Sequence, residues 1–81
     1  MVEQPTGPAF ATGVFACAPG KTAYELTDNE IIYVLEGTVS VALGDREPVR
    51  LGRGDLAFLP KGNMSTWTFH EPFKEVWFLV G

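Results

Sequence analysis

The sequence has one cysteine, one histidine and no long hydrophobic run among its 81 residues. Cys17 cannot form a disulfide within the chain, and because no obvious base lies near it, we interpret it as a small buried side chain or an unreactive thiol. No apolar stretch reaches the roughly 18–20 residues that a membrane-spanning helix needs. Residues 1–5 lack the basic and apolar regions of a signal peptide. We therefore expect a soluble, cytoplasmic protein with no membrane partner.

Basic residues are also scarce. The chain has six lysines and arginines against ten aspartates and glutamates, which gives a net charge of −4, and neither sign forms a run. A nucleic acid or an anionic membrane surface needs a cluster of positive charge to bind. The composition therefore excludes nucleic acid as an expected partner.

Sustained helical periodicity is missing throughout, whereas turn signals recur about every 8–12 residues, a spacing typical of an all-β sandwich or barrel. Residues 1–9, with two prolines and a glycine, are predicted to form an N-terminal arm, and residues 10–81 a single β-barrel domain. The predicted strands cover residues 10–18, 21–26, 30–36, 38–43, 47–51, 56–60, 64–70 and 73–80.

A chain of this length supports only one domain, and it buries roughly 60–65% of its unfolded surface. Apolar residues make up 46% of the sequence and aromatic residues 12%, which is rich for so short a chain. We therefore expect a partner subunit to cover part of the apolar surface, as in a homodimer. Trp77 on the last strand is a candidate contact, because tryptophan is enriched at such interfaces.

Glu30 is the residue that most needs a chemical explanation. It stands at the head of an apolar stretch, residues 31–35, that is predicted to be a buried strand ending in a turn at Gly37. Burial would raise the pKa of this carboxyl and make Glu30 a candidate general acid or base. Alternatively, it caps the polar loop at residues 27–29 or pairs with a lysine.

Two spacings resemble the paired motifs of the cupin family. Six residues separate Glu30 from Gly37, and the second group consists of Gly54, five residues, Pro60, one residue and Gly62. Residues 13–80 are most similar to the small single-domain cupins related to ureidoglycine aminohydrolase and to the ethanolamine-utilisation cupin, through the phrases Val34-Leu35-Glu36-Gly37, Gly54-Asp55, Pro60-Lys61-Gly62, Thr66-Trp67 and Glu71-Pro72.

The resemblance implies an antiparallel jelly-roll β-barrel of six to eight strands, usually dimeric, with a pocket at one mouth. In metal-dependent cupins the first motif supplies two histidines and a glutamate, and the second motif a third histidine. Glu30 occupies the glutamate position. The histidine positions hold other residues, namely Ala23 and Glu25 (or Tyr24 and Leu26 with a shorter spacer) and Ser65. Because divalent transition metals need several convergent ligands and imidazole suits them best, we expect no metal cofactor.

The expected pocket brings five residues together around the mouth of the barrel: Tyr24, Glu25, Glu30, Ser65 and Trp67. Strand alternation places Ser65 on one face with Trp67, and His70 on the opposite face, pointing out of the barrel. Ser65 has no nearby base in the sequence, so it is predicted to line the pocket or donate a hydrogen bond rather than act as a nucleophile.

Three functions remain open from the sequence. The first is binding of a small polar or amine-containing molecule in the barrel, with Glu30 as the central polar group. The second is a metal-assisted hydrolase or lyase of the ureidoglycine type, using Glu30 and Glu25. The third is a structural or regulatory homo-oligomer whose barrel interior is packed shut.

Overall fold

The computed structural model describes residues 11–80, which form eight β-strands and no helix. The strands are β1 (Ala11–Cys17), β2 (Gly20–Glu25), β3 (Glu30–Glu36), β4 (Val39–Leu43), β5 (Val49–Leu51), β6 (Leu56–Leu59), β7 (Met64–Phe69) and β8 (Phe73–Leu79). Seven of them lie within a predicted segment, and β2 begins one residue before its predicted segment, at Gly20. The predicted arm at residues 1–9 lies outside the described residues.

The strands form two four-stranded antiparallel sheets, in the orders β1-β8-β3-β6 and β2-β7-β4-β5. This order fits a jelly roll, in which eight strands form a double sheet through two Greek keys. The predicted all-β antiparallel class is therefore confirmed. Within residues 11–80 the strands make two separate hydrogen-bonded sheets rather than one continuous closed ring.

The core lies between the two sheets because side chains alternate in direction along each strand. On β3, Ile32 and Val34 are completely buried, and on β7, Trp67 and Phe69 are also buried. The remaining members of the buried cluster are Leu26, Val39, Val41, Leu51, Leu59 and Phe73. The register between β7 and β4 sets Trp67 opposite Val41 and Phe69 opposite Val39, so these four side chains share the inner face.

Two turns have a clear physical basis. Gly37, in the predicted turn between β3 and β4, has a φ of 84°, which L-residues with a side chain rarely adopt. A Cβ atom here would overlap the carbonyl oxygen of Pro72. Asp55 accepts a hydrogen bond from the backbone nitrogen of Gly52 at 2.7 Å, which stabilises the turn before β6.

No helix capable of crossing a membrane occurs in the described part of the chain.

Candidate functional site

A cavity of about 370 Å³ lies between the two sheets, on the side where β1, β8 and β3 face β2 and β7. Most of its wall is aromatic or aliphatic, and its two acidic groups are both glutamates. The lining residues are Phe15, Thr22, Ala23, Tyr24, Glu30, Trp67, Phe69, Glu75, Trp77 and Leu79.

Glu30 and Glu75 are the two buried carboxyl groups of this cavity. Only 6% of Glu30 and 3% of Glu75 is exposed, which is unusual for acidic side chains. In each, the Oε1 atom has no hydrogen-bond partner among residues 11–80. A buried polar atom without a partner costs free energy, so each oxygen is a position where a donor would be stabilising.

The pKa values of both carboxyls are raised. Burial, together with the nearby negative charge of Glu30, raises the pKa of Glu75 from its ordinary value of 4.5 to about 8. Burial alone raises the pKa of Glu30. At neutral pH a large share of the Glu75 side chains therefore carries a proton, which makes Glu75 a hydrogen-bond donor as well as an acceptor.

Ser65 fixes two parts of the cavity wall from behind. Its hydroxyl donates a hydrogen bond to the Tyr24 carbonyl oxygen at 2.5 Å and accepts one from Trp67 Nε1 at 2.8 Å. The residue is completely buried, and its bonds join β2 to β7. Ser65 therefore holds the Trp67 ring and the Tyr24 backbone in position, and neither of these hydrogen-bond partners is a base that would make it a nucleophile.

Stacked and tilted aromatic rings form the wall on the β7 side. The ring centroids of Trp67 and Phe69 lie 5.9 Å apart at an interplanar angle of 22°, and those of Phe15 and Phe69 lie 6.0 Å apart. Tyr24 is 43% exposed, and burial together with the charges of Glu30 and Asp28 raises the pKa of its hydroxyl. The cavity thus presents aromatic surface next to acidic groups.

The structure brings together most of the residues expected in the pocket. Tyr24, Glu30 and Trp67 line the cavity, and Ser65 lies directly behind Trp67. Glu25 does not line it, because β2 alternates in direction after Tyr24 and turns Glu25 outward, where it is exposed opposite Met64.

Two other expectations concerned Trp77 and His70. Trp77, a candidate dimer contact from the sequence, lines the cavity, with its indole packed so closely on Gly13 that an added Cβ would lie 2.6 Å from Cζ2. His70 is exposed, as alternation predicted, and its Nε2 lies 2.7 Å from Ser40 Oγ across the outer face of β7 and β4.

Glu75 is the main residue that the sequence analysis missed. Residues 73–80 were predicted to be a strand on which only Trp77 was singled out, so the alternation of the other side chains went unused. Phe73, Glu75 and Trp77 share the inner face, and Phe73 and Glu75 are buried, while Lys74 and Val76 point the other way. A carboxylate between two inward aromatic residues was the available signal.

The side chains of residues 11–80 do not form a site for the divalent metal that metal-dependent cupins bind. No group of three or more histidine, cysteine, aspartate or glutamate side chains in this part of the chain could hold a metal ion. The cavity offers two carboxyls, one of which is largely protonated at neutral pH, and His70 lies on the outer surface. We therefore derive no chemistry through a metal.

The double-sheet jelly roll with a cavity between its sheets is the architecture of a cupin. The chain belongs to the EutQ-like cupin domain family, whose model matches residues 5–77. The predicted membership of the small cupins is thus confirmed. No functionally curated protein shows significant similarity to the chain.

Solved structures show the same fold. A DUF861 family protein from Thermotoga maritima is 28% identical, with a TM-score of 0.78, and the match covers 83% of this chain and 76% of that protein. The EutQ protein of Clostridium difficile is 22% identical, with a TM-score of 0.80, and the match covers 88% of this chain. A cupin superfamily protein from Desulfitobacterium hafniense is 14% identical, with a TM-score of 0.79, over 94% of this chain and 71% of that protein. The chain spans only 56% of the length of the C. difficile EutQ protein.

Proposed function

We propose that this cupin binds a small molecule carrying an amine, with the amine at Glu30 and Glu75 and an apolar portion against the aromatic wall. The observation that carries the proposal is the pair of almost completely buried carboxyls, each with an unpartnered oxygen, in one aromatic-lined cavity. In this view the two sheets act as the wall of a barrel around the ligand.

An amine matches both kinds of surface in the cavity. An ammonium group donates charge-assisted hydrogen bonds to carboxylates, which are roughly twice as strong as neutral ones. Its positive charge is also attracted to the faces of aromatic rings, most strongly to tryptophan. Trp67 and Tyr24 offer such faces in the same cavity as Glu30. A carboxylate ligand, by contrast, would add a third acidic group to a site that already disfavours two.

The cavity also limits the size of the ligand. Small-molecule sites usually range from about 300 to 1,000 Å³, so a cavity of about 370 Å³ lies at the lower end. At roughly 30 Å³ of liquid volume per water-sized group, it holds about a dozen non-hydrogen atoms. We therefore expect a metabolite-sized amine rather than a peptide or a nucleotide.

Isothermal titration calorimetry tests the proposal. The probes are small primary amines with short alkyl or aryl substituents, with ureido compounds and simple sugars as comparison ligands. We expect at least one amine to bind the wild-type protein, and Glu30→Gln to weaken that binding at least about tenfold, because the amide cannot supply a negative charge. Glu25→Gln is the matched control, since it removes the same charge from an exposed side chain outside the cavity.

Two outcomes would reject amine binding at this site. One is an absence of binding by every amine at millimolar concentration. The other is equal loss of affinity in Glu30→Gln and Glu25→Gln, which would show a long-range charge effect rather than a contact.

The two alternative functions have less support. The metal-assisted hydrolase would use Glu25 beside Glu30, but Glu25 is exposed outside the cavity. The regulatory oligomer with a packed interior has no need for an open cavity of this volume or for two unpartnered buried carboxyls. Amine binding uses both features.

A further inference from the structure

The two buried carboxyls stand on either side of Trp77 on the inner face of one sheet. Directly paired residues of neighbouring strands point to the same side of a sheet, and the direction alternates along each strand. The register between β3 and β8 gives three inward pairs in succession, which are Glu30 with Leu79, Ile32 with Trp77, and Val34 with Glu75. Trp77 therefore lies between the pair that contains Glu30 and the pair that contains Glu75.

The backbone sets the two glutamates well apart. Glu75 is paired with Val34, four residues along β3 from Glu30, and at about 3.4 Å per residue this is roughly 13–14 Å along the strand. Both side chains nevertheless line one cavity, and neither Oε1 atom is hydrogen-bonded to the other carboxyl. The cavity therefore has two separate anionic positions with an aromatic surface between them.

This order of groups matches a ligand with a donor at each end and hydrocarbon in the middle. A monoamine placed at one carboxyl leaves the buried oxygen of the other without a donor, and an unsatisfied buried oxygen costs free energy. A ligand with two ammonium groups satisfies both oxygens. Its hydrocarbon chain then covers the Trp77 ring, which removes apolar surface from water.

The charge of the cavity also favours a dication. Two carboxylates in one apolar cavity disfavour each other's ionisation, and a ligand with two positive charges balances both. No lysine or arginine of residues 11–80 lines the cavity, so the protein side chains that line it do not supply this positive charge. The net charge of −4 on the whole chain additionally attracts cations at low ionic strength.

The length of the cavity wall sets the length of the ligand. With carbon bonds of about 1.5 Å and angles of about 111°, an extended diamine of four or five carbons places its nitrogens about 6–8 Å apart. The two glutamate side chains, which extend from backbone positions further apart than this, cover the remaining distance. Such a diamine has six or seven non-hydrogen atoms, which fit within the roughly dozen that the cavity holds.

We infer that the ligand of this cavity is a linear diamine of four or five carbons, with one ammonium at Glu30, the other at Glu75 and the chain over Trp77. The inference rests on the proposed function and narrows it from amines in general to one class of amine. It assigns a separate ammonium to each carboxyl.

Isothermal titration calorimetry compares each diamine with the monoamine of the same carbon number, which lacks only the second ammonium. We expect 1,4-diaminobutane and 1,5-diaminopentane to bind the wild-type protein at least about tenfold more tightly than 1-aminobutane and 1-aminopentane, because the second ammonium makes charge-assisted bonds. We expect 1,2-diaminoethane, which is too short to reach both carboxyls, to lose most of this advantage.

Two variants locate the second ammonium. Glu75→Gln is expected to bring the affinity for 1,4-diaminobutane to within about threefold of that for 1-aminobutane, because the amide carries no negative charge. Glu25→Gln removes the same charge from an exposed side chain outside the cavity and is expected to keep the tenfold advantage. An equal loss of the advantage in both variants would overturn the inference, since it would show a long-range charge effect rather than a contact.

The comparison in the wild-type protein needs no variant, so it decides the inference even if Glu75→Gln does not fold. Equal affinity for diamines and monoamines would overturn the inference and leave amine binding at Glu30, the proposed function, in place. Affinity that rises with chain length alike in both series would also overturn it, because apolar burial alone would then explain the binding. An absence of binding by every amine would reject the proposed function and this inference together.

Discussion

The negative charge of Glu30 raises the pKa of Glu75, although the two residues belong to different strands of the sheet. Glu30 begins β3, and Glu75 lies on β8 opposite Val34, four residues further along β3. The two carboxyls line one cavity and share its apolar surroundings. They therefore titrate as interacting groups, and any ligand that supplies positive charge stabilises both ionised forms.

The raised pKa of Glu75 predicts that the folded state loses stability as the pH rises. Below pH 4.5 the carboxyl is protonated in both the folded and the unfolded chain. Between pH 4.5 and about 8 only the unfolded chain releases the proton, so the contribution of Glu75 to the free energy of unfolding falls by roughly 1 kcal/mol per pH unit. Urea unfolding of wild type and of Glu75→Gln at several pH values from 5 to 8 measures this contribution.

The difference between these two proteins isolates Glu75 from the other titrating groups. We expect the free energy of unfolding of Glu75→Gln, relative to that of wild type, to grow steadily between pH 5 and about 8. Glu25→Gln, at an exposed position, should run parallel to wild type. A constant difference between Glu75→Gln and wild type would show that Glu75 is ionised in the folded protein at pH 5.

Ser65→Ala should destabilise the protein through Trp67. The substitution leaves the buried Trp67 Nε1–H without an acceptor and removes the bond to the Tyr24 carbonyl. An unsatisfied buried donor costs about 1–3 kcal/mol, and we expect a loss of that size in the free energy of unfolding. Thr66→Ala, the next residue but on the outer face, should change it by less than about 0.5 kcal/mol. Equal effects of the two variants would argue against the Ser65–Trp67 bond.

Gly37→Ala and Gly44→Ala separate backbone strain from steric overlap. Both glycines have positive φ, 84° and 60°, so alanine costs roughly 1 kcal/mol in each from backbone conformation. Only at Gly37 would the new Cβ also overlap the Pro72 carbonyl, whereas at Gly44 no atom lies within 4 Å. We expect Gly37→Ala to be the more destabilising by at least about 2 kcal/mol in urea unfolding, and the reverse order would contradict this packing.

We expect divalent metal ions to bind the protein only weakly and therefore not to stabilise it. The described part of the chain has no cluster of three ligating side chains, so Zn²⁺ or Mn²⁺ at micromolar concentration should shift the thermal midpoint by less than about 1 °C. EDTA should leave the midpoint unchanged. A stoichiometric metal in protein purified without chelators, retained through dialysis, would reopen the metal-assisted hydrolase.

Much of the fold could be predicted because strand and turn chemistry is local. The alternation of Ser65, Trp67 and Phe69 predicted the inner face of β7, and the glycine and aspartate turns marked the ends of strands. The separation into two sheets was beyond prediction, because it depends on which strands pair over long distances. Pro48 indicates an edge or strand-start position, because proline cannot donate to the ladder, and it directly precedes β5, which is an edge strand.

The site was less predictable than the fold. Glu30 and Trp67 were found because their positions follow from strand direction and the motif spacing. Glu75 comes to the same cavity only because β8 pairs with both β1 and β3, which no local pattern specifies. Glu25 was misplaced because the start of β2 was not fixed, and a one-residue shift in a strand reverses every side chain.

The close contact between Gly13 and Trp77 has a consequence for the shape of the cavity. The indole lies where a side chain at position 13 would otherwise sit. Any larger residue there would overlap the Trp77 ring and force it to move, although Gly13 itself is not among the residues that line the cavity. A single position on an edge strand therefore controls where one aromatic wall of the cavity stands, without altering either glutamate.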